Sequence, residues 1–163
     1  MPDREGSRFS AGGGNRLNVI RYGREEMTQH ELIAGDNILP GQALMRTEDA
    51  EGNPVFEHHD GDETNAVYVA VEARGRGMDA QTDSGYAAGE DLVIAVNASG
   101  GGLNLRVAAD ENLSQGDTIG PAAVTGDFVG YVDGTGTFPF AEADETMDLT
   151  GFTDPALVRS EVS

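Results

Sequence analysis

The stretch His58-His59-Asp60-Gly61-Asp62-Glu63 gathers the residue types that hold cations, and it is the one cluster in the chain with metal-ligand character. Adjacent histidines on a strand point to opposite faces, so the pair chelates a single ion poorly unless the backbone turns there. Asp60 and Asp62 match the start of a calcium loop. The sixth position, however, is Asn65 rather than glycine, and no glutamate stands at the twelfth. The cluster therefore reads as a solvated acidic turn, with no metal and no cofactor assigned. The third histidine, His30, has no serine or carboxylate companion that sequence can place, and no Gly-x-Ser-x-Gly elbow occurs. The glycine runs at 12–14 and 100–102 do not lead from a strand into a helix, so they are not phosphate cradles. With no cysteine there is no disulfide, thiolate cluster or thiol nucleophile. Carboxylate pairs are too abundant in so acidic a chain to mark a glycosidase. No nucleophile, base and orienting partner assemble, and the chain reads as a non-enzyme.

The elements that would carry any site are short strands. Ala66–Ala73 and Leu92–Val96 are rich in β-branched residues, and Leu103–Val107 alternates with period two. Further strands are expected around 16–22, at Gln42–Arg46, at Val55–Phe56, at Phe128–Val132 and at Ala156–Val162. One or two helical turns are expected over Glu25–Ala34, and one over Ala108–Asn112. Turns fall at Ile38–Gly41, Asp49–Pro54, Gly116–Pro121 and Gly134–Thr137. Twenty-three glycines favour tight turns over long helices. The expected fold is all-β: a compact β-sandwich or small barrel of about seven to nine short strands. A flexible basic arm over residues 1–15 precedes a single β-rich domain over 16–163.

Charge bounds the partners. The chain contains no lysine; its ten basic residues are all arginine, against 29 acids, for a net charge of −19. Arginine is the more weakly hydrated cation, and carboxylates are the charges that best favour solubility. In molar salt the Debye length falls to about 3 Å, so a dense acidic surface no longer repels itself. This composition suits a salt-saturated cytoplasm of the kind found in halophilic archaea. It argues against nucleic-acid binding, which neutralises phosphates with Lys and Arg. No run approaches the roughly 18 apolar residues of a membrane span, and the polar N-terminus does not read as a secretory signal. Residues 1–24 hold Arg4, Arg8, Arg16, Arg21 and Arg24 against Asp3 and Glu5, a basic start on an acidic protein.

Residues 86–134 resemble a known pattern. Tyr86-Ala87-Ala88-Gly89-Glu90-Asp91 runs into Leu92–Val96 and on to Leu103–Ala109. Glu111-Asn112-Leu113-Ser114-Gln115-Gly116-Asp117-Thr118-Ile119-Gly120 follows, then Gly126–Val132. This is similar to the capsid decoration (head cement) proteins of tailed viruses, in which a "YxxGexvxv" strand, an "LxxGxxxxxGdxL" turn and a "dGxvg" strand recur. Asp110 stands where that pattern often has glycine, and 133–153 looks like an insertion before the last strand. The resemblance implies a virion structural protein of a tailed virus, here one infecting halophilic archaea. Such a protein is made in the host cytoplasm and sits on the outer surface of an icosahedral capsid. It stabilises the shell by bridging neighbouring major capsid protein subunits, commonly as a homotrimer. Arg4, Arg8 and Arg16 are then candidates for pairing with an acidic shell, and Leu17, Val19 and Ile20 for a docking strand that adds to capsid strands. Ordinary core is the competing reading of those three apolar residues. The alternative function is a surface spike or soluble binding module recognising a carbohydrate or cell-surface ligand in high salt, with Tyr86, Tyr131, Phe138 and Phe140 as its available aromatics.

Overall fold

The computed structural model describes residues 17–123, 125–133 and 137–162. Arg4, Arg8 and Arg16, and most of the 134–137 turn, lie outside the described residues. The fold is all-β. Strand β1 covers Ile20–Tyr22, β2 Met27–Ala34, β3 Ala43–Glu48, β4 Pro54–His58, β5 Tyr68–Ala70, β6 Leu92–Ala98 and β7 Gly102–Val107. The remainder are β8 Asn112–Leu113, β9 Thr118–Pro121, β10 Phe128–Gly130, β11 Ala141–Ala143, β12 Met147–Asp148 and β13 Ala156–Val162.

Two rings form. Ring one is a closed barrel in the order β2-β4-β3-β5-β6. Ring two runs β7-β10-β9-β11-β13 and closes through β7–β13, while β1 adds to the edge of β7. The wiring is the same in both. Counting the five ring strands in chain order, each ring is arranged first, third, second, fourth, fifth. In each, the first and third strands are parallel (β2 with β4, β7 with β10) and every other pair is antiparallel. Each ring also carries one small bridge off its rim: Ile38 with Tyr86 in ring one, Leu113 with Met147 in ring two.

The repeat extends to single hydrogen bonds. Asp36-Asn37-Ile38-Leu39-Pro40-Gly41-Gln42 corresponds to Glu111-Asn112-Leu113-Ser114-Gln115-Gly116-Asp117. The Gln42 side-chain oxygen accepts the Leu39 N–H at 2.9 Å, as the Asp117 carboxylate accepts the Ser114 N–H at 2.8 Å. Gly41 N–H donates to Ala70 O and Gly116 N–H to Ala143 O, both at 2.8 Å. In the return direction Ala70 N–H reaches Gln42 O, and Ala143 N–H reaches Asp117 O. Both glycines are left-handed, at φ 88° and 96°, where a side chain is strained.

The core follows from strand alternation. Ala34, Leu44, Phe56, Ala70, Val93 and Ala95 point into ring one. Leu103, Leu105, Val107, Ile119, Phe128 and Val158 cluster in ring two. The outer face of ring one is apolar where it meets ring two: Val69 and Val96, paired across β5–β6, join the ring-two cluster.

Three sequence expectations are corrected. Glu25–Ala34 is not helical beyond a 3-10 turn at Arg24–Glu26; it forms β2, because continuous pairing with β6 from Met27–Ala98 to Ile33–Leu92 outweighs local preference. Ala108–Asn112 holds a tight turn at 109–110 and the start of β8 rather than a helical turn. There Asp110 takes φ 69°, a conformation glycine would supply freely. The 133–153 segment contributes β11, which completes ring two, and β12, which pairs with β8 beside it. Gly116–Pro121 is only half turn, as Thr118–Pro121 is β9. These short strands are why the count exceeds the expected seven to nine.

Candidate functional site

The predicted docking strand packs on its own chain. Leu17 O accepts the Ala80 N–H, and Val19 is fully buried in the shared core. The Val19 N–H donates to Glu72 Oε1 at 2.8 Å, and its carbonyl accepts the Asn104 N–H at 2.7 Å. Ile20 pairs with Leu103, so β1 extends β7. The next residue, Arg21, donates to Ser160 O and lies 3.2 Å from Asp144. Residues 17–22 thus root whatever precedes them beside the seam of β7 and β13.

The two histidines of the acidic stretch take separate partners on opposite sides. His58 Nε2 lies 3.1 Å from Gln42 Oε1, while its backbone N–H donates to Asp36. His59 is fully buried. Its Nδ1 accepts the Gly61 N–H at 3.0 Å, which leaves Nε2 to donate to Asn65 O, also at 3.0 Å. Exposed Asp60 accepts the Asp62 N–H and the Asn65 amide, and these bonds hold its carboxyl below the ordinary range. The carboxylates of the turn are directed at their own backbone. Among the described residues, no group of three or more metal-ligating side chains comes together.

The seam between the rings is the most constrained polar site. Gln42 is nearly buried, and its amide donates to Asp127 Oδ1 at 3.0 Å while its oxygen faces His58. Burial pushes the Asp127 carboxyl up, against the opposing pull of Gln42, Arg106 and His58. Gly126 O accepts the Ala43 N–H at 2.7 Å, and a Cβ on Gly126 would strike the His58 ring. Arg106 is buried, with partners 24 to 66 positions away in sequence: its Nε donates to Pro40 O and its Nη2 to Ala80 O, each at 2.9 Å, with Thr82 O at 3.3 Å. These bonds fix the seam and tie down the 74–85 loop. Sequence reasoning passed over Gln42, Arg106 and Asp127, although an arginine inside an alternating apolar strand is a usable signal of a buried anchor.

A half-open cleft of about 350 Å³ lies beside the seam, between Asn37–Gln42 and Asp83–Ala87. Tyr86 lines it, with its hydroxyl committed to Val71 O at 2.6 Å and driven up in pKa by burial. Its other walls mix polar Asn37, Gln42, Asp83 and Ser84 with apolar Ile38, Leu39 and Ala87. Ile33 and Leu92 face each other across β2–β6, 39% and 49% exposed.

No family model and no curated protein matches the sequence. Among solved structures the chain is similar to the head fiber gp8.5 N base of bacteriophage phi29, at 14% identity and a TM-score of 0.48, over 84% of this chain and 94% of that one. Neither value is high enough to carry a role across.

Proposed function

We propose that this chain is a non-enzymatic virion structural protein. It decorates the outside of an icosahedral capsid and bridges neighbouring major capsid protein subunits, as a self-associating, trimeric component of a tailed virus of halophilic archaea. The observation that supports this reading best is how the residues of the resemblance fold. Tyr86–Val96 makes the rim bridge and β6, Asn112–Gly120 makes β8, the tight turn and β9, and Gly126–Gly130 leads into β10. That is the strand, turn and strand the decoration-protein pattern implies. Closed rings also suit a scaffold displayed in many copies, because closure removes the sheet edges that drive aggregation. Arg4, Arg8 and Arg16 precede the β1 anchor in sequence, and they supply the positive charge that an arm pairing with an acidic shell would need.

Two measurements test it. In purified particles, quantitative mass spectrometry gives the copy number relative to the major shell protein. A ratio near one, or another simple lattice fraction, supports decoration; absence from the particle or a handful of copies rejects it. Removal of residues 1–15 leaves the thermal transition unchanged and weakens attachment to undecorated shells. Equal attachment by the truncated chain removes the arm from the proposal.

A further inference from the structure

The two rings differ at one matching position in a way that leaves a cleft in ring two. Arg46 faces Phe56 across β3–β4 as Pro121 faces Phe128 across β9–β10, so Phe56 corresponds to Phe128. Two residues on, His58 corresponds to Gly130, and then His59 to Tyr131. Two pairs of hydrogen bonds agree. His58 N–H donates to the Asp36 carboxylate at 2.9 Å, as Gly130 N–H donates to that of Glu111 at 2.7 Å. His59 N–H donates to Ala43 O, as Tyr131 N–H donates to Thr118 O.

In ring one the His58 imidazole occupies this position. Its Nε2 donates to Gln42 Oε1 at 3.1 Å, since that oxygen can only accept, and its Nδ1 lies 3.8 Å from Asp36. Ring two has no side chain there. A Cβ on Gly130 would point at Glu111 Oε1 and Leu113 Cδ2, 3.2 and 3.4 Å away, and both residues line a cleft of about 440 Å³ with Asn112, Asp117, Thr118 and Tyr131. Glu111 and Asp117 hold the positions of Asp36 and Gln42, so a second carboxylate stands where ring one has a neutral amide. Each gives one oxygen to a backbone N–H, that of Gly130 or Ser114. The other oxygen of each, the Asn112 amide and the Thr118 hydroxyl have no partner among the described residues.

We infer that the Gly130 cleft receives the guanidinium of an arginine from a partner protein, seated where ring one seats its own imidazole. The filled position in ring one shows the chemistry: a planar group whose N–H donors reach the side chains at these two positions. Asp117 in place of Gln42 adds a negative charge, which favours a cation over a neutral ring. Guanidinium is planar, always charged and rich in donors, so it satisfies several separated acceptors at once. An ammonium is a compact, more strongly hydrated charge that does so less well. Entry is from solvent, since Asn112 and Asp117 are exposed. The inference goes beyond a decoration role and stands or falls separately from it, because the cleft is tested on the isolated chain.

The probe is Nα-acetyl-arginine methylamide, titrated into the isotopically labelled full-length chain at constant ionic strength and followed by amide NMR. The expected result is a saturable shift of the Gly130 and Ser114 N–H resonances, whose protons lie on the two carboxylates. The lysine analogue should bind about threefold or more weakly. Asp117→Asn keeps an oxygen for the Ser114 N–H while removing the charge, and should weaken arginine binding about tenfold. Gly130→His refills the position as in ring one. The Gly130 backbone is not left-handed and its neighbours need yield only slightly, so this variant should keep its melting curve and lose binding. No saturable shift at Gly130 and Ser114, equal binding of the lysine analogue, or undiminished binding in folded Gly130→His overturns the proposal. Resonances that move only when Arg4, Arg8 and Arg16 are all replaced by Gln would assign the cleft to this chain's own arginines and overturn the partner protein as the source.

Discussion

Rings one and two share a strand order, a parallel first–third pair and a glycine turn, yet their first strands live in different surroundings. In β7 every residue is buried, including Asn104 and Arg106. In β2 only Ala34 is buried, and Thr28, Gln29, Glu31 and Ile33 are exposed. The wiring alone therefore does not decide which outer face is covered. Ring two has β1, the Gly41 turn and the 80–82 segment laid over β7, whereas ring one meets the surroundings there directly. The polar residues follow the covering: Arg106 is tolerated inside because three backbone carbonyls receive its guanidinium.

The comparison can be broken most severely at the two core phenylalanines. Phe56 and Phe128 are both fully buried on the third strand of their rings. Phe56→Ala and Phe128→Ala are each expected to cost about 3–5 kcal/mol by chemical denaturation. A transition that splits in two for either variant would show that the rings unfold separately, against the shared cluster that joins them.

Next comes the first-strand contrast. Arg106→Ala leaves the buried Pro40 and Ala80 carbonyls and the half-buried Thr82 carbonyl without their donor and is expected to cost about 3 kcal/mol. Ile33→Ala, at the matching position of ring one, stays within about 0.5–1 kcal/mol for the isolated chain. Equal losses would mean that Ile33 is covered in solution.

The glycines sharpen the same point. Gly41→Ala combines a left-handed backbone with a clash against Leu157 and is expected to cost about 2–3 kcal/mol, whereas Gly116→Ala meets only the backbone term of about 1–2 kcal/mol. Thermal melts in molar salt compare them.

The smallest expected effect is that of pH at the seam. The folded state holds Asp127 with a raised pKa, so it binds that proton more tightly than the unfolded chain does. Its contribution is most favourable below the unfolded value of about 3.9 and declines as pH rises through the folded value. Asp127→Asn should remove that decline and raise stability slightly at neutral pH, since its side-chain oxygen still accepts from Gln42. Asp60 runs the other way. Its lowered pKa contributes stability present above about pH 4 and lost below it, and exposure to solvent keeps that contribution small.

Some of this was open to a reader of the residues. The valine-rich runs at 66–73, 92–96, 103–107, 128–132 and 156–162 each contain a strand, because alternation and β-branching are local signals. The duplicated turn is also visible once Asp36-Asn37-Ile38 and Gly41-Gln42 are set beside Glu111-Asn112-Leu113 and Gly116-Asp117, although a seven-residue segment is too short a match to stand out alone. Strands β8, β9, β11 and β12, of two to four residues, are too brief for any period to register. The candidate docking residues Leu17, Val19 and Ile20 read as a docking strand or as ordinary core, and their contacts are with residues 53 or more positions away.

Composition by itself determined the charge, the absence of lysine and cysteine, and the β class, since these depend on residue type and on neighbours one or two positions apart. Only the tertiary structure decided that the strands close into two like-wired rings, that Met27–Ala34 is extended, and that Arg106 is an anchor while Ile33 faces outward. Those outcomes rest on pairings between distant segments, where the gain from burying a shared face exceeds the preference of any single stretch.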